Sequence, residues 1–201
     1  MSVSKVNSPL IPLSLLLLGA LVLWLSPAEA RLGEGVKYVY VHVGLIWAGM
    51  AGLLIAGGLG AMVAIGWLKR WPDWIQTIAW VGLGLYTAGL LMSRLAAEAN
   101  WGGMFWQEPR TRTALQVITL GLIVQVIGSW EVWPRLVGSL RFGLVGFLAW
   151  TSLATPLFLH PPNAIRASSS TAIQASALAL FLLWCLVGAW VALYWQSKRG
   201  R

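Results

Sequence analysis

Six apolar runs, each near the ~20 residues that cross a ~30 Å hydrocarbon core, leave this chain little choice of architecture. They fall at 9–27, 39–68, 74–95, 113–133, 137–159 and 172–195. The second is long enough to tilt or to project beyond a bilayer. The gaps between runs are too short for a separate soluble domain. The expectation is therefore an all-α integral membrane protein: one polytopic domain over 1–201, six transmembrane helices, and an outer loop at 96–112.

Composition agrees with that class. The chain is 58% hydrophobic and 10% charged, whereas soluble domains carry about a quarter charged residues. The net charge of +8 is not read as nucleic-acid binding, because membrane proteins concentrate Lys and Arg in cytoplasmic loops. A single cysteine, Cys185, excludes an intrachain disulfide. No C-x-x-C-H or C-x-x-C occurs, so the chain is neither a c-type cytochrome nor a thiol oxidoreductase of that pattern. Without a G-x-x-x-x-G-K-[ST] loop, any ATP hydrolysis has to come from a partner.

The first run admits two readings. Lys5, the apolar stretch Leu10 to Leu25 and Ala28-Glu29-Ala30 together resemble a signal peptide with its cleavage site. The other reading is a retained first helix. Cleavage leaves the orientation of the remaining five runs unchanged.

Charge sets the expected orientation. Six spans put Lys5, Lys69, Arg70, Arg135, Arg141, Lys198, Arg199 and Arg201 on one side, and Arg31, Lys37, Arg94, Arg110, Arg112 and Arg166 on the other. The bias of eight to six places both termini in the cytoplasm. Asp73 and Glu131 lower the first side to a net +6; Glu29, Glu34, Glu98 and Glu108 lower the second to +2. The polar, aromatic break Trp101–Thr113 (WGGMFWQEPRTRT) then faces the extracytoplasmic side of the plasma membrane. So do the chain's two histidines, His42 at the outer start of the second run and His160 at the outer end of the fifth, just before Pro161-Pro162.

Two further patterns have ordinary explanations. Gly44, Ala48, Gly52, Ala56, Gly60 and Ala64 recur every four residues, a spacing that lets helices approach closely in lipid. Trp67, Trp71, Trp74, Trp130, Trp133 and Trp195 near the inner boundary, and Trp24 outside, fit an interfacial belt. Trp101 and Trp106 stand apart because they lie within the break beside Phe105.

Two neutral imidazoles facing one cavity are a common way to hold a haem iron on both axial sides. Haem also needs apolar and aromatic walls, which Trp101, Phe105 and Trp106 could supply. Its propionates need cations, for which Arg110, Arg112, Arg166 and Lys37 are candidates, arginine being favoured for its bidentate fork. Taken alone, the break reads as an interfacial anchor and each histidine as a solvated or capping helix-end residue.

Three stretches resemble the CcmC-like haem-handling proteins of cytochrome c maturation, the WWD-motif family. Tyr40-Val41-His42-Val43, with Trp47 five residues after the histidine, is similar to Y-I-H-V-P-[SA]-A-W. Trp101-Gly102-Gly103-Met104-Phe105-Trp106-Gln107-Glu108-Pro109-Arg110 resembles W-G-T-W-W-x-W-D-x-R. Leu159-His160-Pro161-Pro162 is similar to L-H-Q-P. Trp101, Gly102 and Arg110 match in register. Met104, Phe105 and Gln107 stand where the family has Trp, Trp106 at its variable position, Glu108 at its Asp, Gly44 at its first-motif Pro and Pro161 at its Gln.

What the resemblance implies is presentation of haem b rather than chemical turnover, so no enzyme is expected. His42 and His160 are then the axial ligands, Trp101 with Phe105 and Trp106 the platform, Arg110 a propionate partner, and Glu108 a residue that orients the loop or meets the chaperone. The implied partners are haem, a membrane-anchored periplasmic haem chaperone, ABC-type exporter subunits and the lipid bilayer, with no nucleic acid. Two competing classes stay open: a bis-His haem electron carrier of a membrane complex, and a structural or pigment-binding subunit without haem. Ligand depth discriminates the electron carrier from haem delivery, since carriers that cross the bilayer usually hold their haems within it, whereas the two histidines here are expected near one surface.

Overall fold

Six helices follow one another in the computed structural model, which describes residues 8–68, 72–103, 106–130, 133–155, 165 and 167–199. They are α1 (Leu10–Leu25), α2 (Val36–Ala64), α3 (Pro72–Trp101), α4 (Pro109–Ser129), α5 (Pro134–Ala154) and α6 (Thr171–Arg199). Five of them, α2 to α6, are long and apolar enough to cross a membrane, the mark of an all-helical multi-pass membrane protein. The sixth expected span is shorter: α1 has 16 residues, about 24 Å at a rise of 1.5 Å per residue, less than a full hydrocarbon core.

Side-chain bonds fix which helix ends meet. Asn100, at the end of α3, donates to the Gly35 carbonyl at 3.0 Å, beside the start of α2. Arg110, in the first turn of α4, reaches the Thr155 carbonyl just past α5. At the opposite end, Gln196 of α6 donates to the Asp73 carbonyl and Thr77 hydroxyl of α3, at 3.0 and 2.7 Å. Successive helices therefore run up and down. Trp101, the starts of α2 and α4 and the end of α5 share one end of the bundle.

Prolines set boundaries that hydropathy misses. Helices α3, α4 and α5 open at Pro72, Pro109 and Pro134, two to four residues ahead of their apolar runs. A proline at the first helical position gives up only an amide that has no intrahelical partner there. Proline also ends α5 early. The residue before Pro156, Thr155, is extended (φ −88°, ψ 116°), as clash with the proline ring demands, so α5 stops at Ala154 rather than near 159.

Helix α2 is the hub, packing against α3, α5 and α6, and α1 lies against α6. The small-residue stripe of α2 serves three neighbours, not one. A Cβ on Gly44 would meet the Trp184 side chain of α6 at 2.9 Å. One on Gly52 would meet Gly82 Cα of α3 at 2.8 Å, and one on Gly60 the Gly138 carbonyl of α5 at 2.9 Å. Residues four apart advance 400° around a helix, so such a row winds gradually from one neighbour to the next.

The core forms three clusters down the bundle. Val36, Tyr40, Ala96, Ile173 and Leu180 fill the end near Trp101. Leu53, Leu83, Val117 and Leu148 fill the middle. Ala56, Val63, Ile75 and Ala79 fill the far end. Arg141, counted from sequence among the inner loop cations, instead lies within α5 and is buried. Its guanidinium donates to the Gln76 side-chain oxygen of α3. Gln76 in turn donates to the Gln125 carbonyl of α4 at 2.9 Å. The exposed indoles of Trp24, Trp67, Trp130 and Trp133 lie at helix ends, as an interfacial belt requires.

Candidate functional site

His42 is carried by the hub helix. Its Nδ1 lies 2.8 Å from the Gly89 carbonyl of α3. A carbonyl oxygen only accepts, so this bond requires the hydrogen on Nδ1 and leaves the lone pair of the neutral ring on Nε2. Close helix contact makes the bond possible: a Cβ on Gly89 would sit 2.8 Å from the Ile46 amide nitrogen. The ring is half-buried. Helix α2 begins at Val36, so His42 is about 9 Å along it. The expectation that it sits at the outer start of the helix is thus corrected. Helical hydrogen bonding extends α2 three residues beyond its apolar run. From Gly89 to Trp101, α3 rises a further ~18 Å.

Helix α3 likewise runs through 96–101, which hydropathy assigns to the loop, and shortens the break to the residues between Trp101 and Pro109. Gly102 ends it. At φ +76° it adopts the left-handed conformation, and its amide bonds the Glu98 carbonyl at 3.1 Å. This is the single-bond left-handed helix stop that favours glycine. Trp101, the last residue of α3, is half-buried, whereas Trp106 is exposed.

Glu108 caps the other side of the break. Its carbonyl accepts the amides of Thr111 and Arg112 at 3.0 and 3.2 Å, and Pro109 follows at the first helical position. The residue is only 2% exposed, which places its carboxylate inside the protein at the positive end of α4. Arg110 is exposed and directs Nε to the Thr155 carbonyl at 3.2 Å. That oxygen is left over by the early end of α5, so Arg110 ties the start of α4 to the α5–α6 connection.

His160 and Phe105 lie outside the described residues. The described part of the α5–α6 connection includes Ile165, buried in one cluster with Val36, Tyr40, Ala96 and Ile173. Ile165 follows His160 by five residues in sequence and shares this cluster with Tyr40, two positions before His42.

Trp101, Trp106, Glu108 and Arg110 thus share one end of the bundle, with His42 deeper between α2 and α3. Sequence reasoning missed the Gly89 carbonyl that orients His42, the Thr155 carbonyl that receives Arg110, and Asn100, which donates across to the Gly35 carbonyl and within its own helix to the Ala96 carbonyl. Backbone acceptors carry no sequence signal. Asn100 was visible only as a polar residue beside a tryptophan. Among the described residues no three of His, Cys, Asp and Glu gather as a metal cluster. Compared with known proteins, the chain matches no family model and no curated protein.

Proposed function

We propose that the protein binds haem b at its extracytoplasmic end and delivers it to a membrane-anchored periplasmic haem chaperone during cytochrome c maturation. His42 and His160 hold the iron. Trp101, Phe105 and Trp106 wall the macrocycle, and Arg110 meets a propionate. Glu108, buried at the head of α4, positions the break. ABC-type exporter subunits supply the energy for release, since the chain has no phosphate-binding loop of its own. Haem when bound supplies the iron that the imidazoles ligate; the chain's residues bind, orient and release it.

The observation that carries this reading is the His42–Gly89 bond at 2.8 Å. It selects the tautomer with a basic Nε2 and fixes the ring on two packed helices. Metal-bound histidines characteristically donate their other nitrogen to a carbonyl in this way. The test is the visible spectrum of the purified protein before and after haem addition, with His42→Ala and His160→Ala alongside. A low-spin spectrum that weakens or changes spin state in both variants is expected. Absence of haem uptake by the unaltered protein overturns the reading.

A second reading is a bis-His electron carrier, and the depth of His42, about 9 Å along α2, favours it. Adding apo chaperone to the haem-loaded protein separates the two. Delivery moves haem to the chaperone, whereas an electron carrier retains it.

A further inference from the structure

At the end of the bundle opposite Trp101, a groove of about 470 Å³ opens between the last turn of α2 and the first turn of α5. Val63, Leu68 and Leu136 form its apolar walls, and Arg135 and Trp133 also line it. Gly66, at φ +82°, turns the chain away at its edge. A Cβ there would stand 3.3 Å from an Arg135 Nη, so glycine leaves the guanidinium its place. Trp67 and Trp133 flank the groove, each 78% exposed.

Arg135 is exposed. The ion pairs among the described residues, Lys37–Glu34 and Arg94–Glu98, lie toward the other end of the bundle. In sequence, residues 69–73 and 131–135 hold Lys69, Arg70 and Arg135 against Asp73 and Glu131, a net charge of +1. The groove thus combines a cation, an apolar wall and two indoles at the level where headgroups meet hydrocarbon.

We propose that this groove binds an anionic phospholipid, its phosphate against Arg135 and an acyl chain along Val63, Leu68 and Leu136. Arginine suits a phosphate because its planar fork bonds two oxygens at once. The apolar walls select a lipid over a free anion, and basic pockets between membrane helices bind anionic headgroups elsewhere by the same chemistry.

The test uses the full chain reconstituted in vesicles of phosphatidylcholine and phosphatidylglycerol, extracted in mild detergent. Native mass spectrometry then counts the retained phosphatidylglycerol. Arg135→Gln is expected to weaken retention about fivefold, the effect of one basic residue beside an anionic surface (~1 kcal/mol). Leu136→Trp, which fills the groove and keeps the charge, causes a comparable loss. Arg199→Gln, which removes a cation stacked on Trp195 at the same end, leaves retention unchanged. Equal losses from Arg135→Gln and Arg199→Gln mean diffuse surface charge and overturn the proposal. So does full retention by Leu136→Trp, or displacement of the lipid by millimolar inorganic phosphate.

Discussion

A guanidinium inside a helix bundle is costly unless its charge finds an acceptor, and Arg141 has found a neutral one. Gln76 receives it from α3, and Gln76 itself is held by the Gln125 carbonyl of α4. Close contact of Gly60 with Gly138 brings the α2 backbone over the Arg141 side chain. This arrangement predicts an asymmetry. Gln76→Leu strands the cation and lowers stability by about 1.5–3 kcal/mol, the range for a hydrogen bond to a charged group. Adding Arg141→Met to Gln76→Leu restores most of the loss, since replacing both partners by apolar groups is close to neutral. Unfolding in mixed micelles reads the difference. A double variant as unstable as the sum of the singles means that Arg141 serves something other than Gln76. The sequence could not expose this node. Arg141 stands six positions after Arg135, and only the packing of three helices distinguishes a buried cation from one at a helix end.

At the scale of the helix, the sequence reading captured what the solvent dictates and missed what local stereochemistry dictates. Each of the six apolar runs holds a helix over most of its described residues, because apolar segments of that length satisfy their own backbone in lipid. Their ends follow other rules. Pro72, Pro109 and Pro134 open helices upstream of the apolar runs, Pro156 closes α5, and a left-handed Gly102 stops α3. These residues were in view, but hydropathy does not weigh them. The same limit set His42 too high and the loop at 96–112 too long. The small-residue stripe was legible as a seam, yet its winding across three partners was not, since that depends on where the neighbours stand. The seam gives a paired prediction. Gly52→Ala places a methyl 2.8 Å from Gly82 Cα and destabilises by roughly 1–3 kcal/mol through overpacking. Gly58, on the same helix, has nothing within 4 Å of an added Cβ. Gly58→Ala therefore stabilises by about 0.5–1 kcal/mol through helix propensity alone. Equal effects in an unfolding assay remove the close α2–α3 contact from the account.

For the whole molecule, orientation decides whether the candidate haem site can face a periplasmic partner. The up-and-down order of helices places the break between Trp101 and Pro109 at one end, and Ser129 and Ser197 at the other. Burial of Arg141 removes one cation from the inner count and leaves seven basic residues against six. The remaining bias still favours the Ser129 and Ser197 end in the cytoplasm, but narrowly, which makes direct mapping informative. In a Cys185→Ser background, one cysteine at a time replaces Gln107, Ser129 or Ser197. Intact cells are then treated with a membrane-impermeant maleimide. Gln107→Cys is expected to label from outside. Ser129→Cys and Ser197→Cys label only after the membrane is opened. The reverse pattern inverts the molecule and turns Trp101, Arg110 and the His42 end toward the cytoplasm, which removes delivery to a periplasmic chaperone. Labelling of Gln107→Cys and Ser129→Cys from one side shows that α4 does not cross. The contrast across α4 is independent of whether the first apolar run is cleaved, because both of its probes lie far downstream of Ala30.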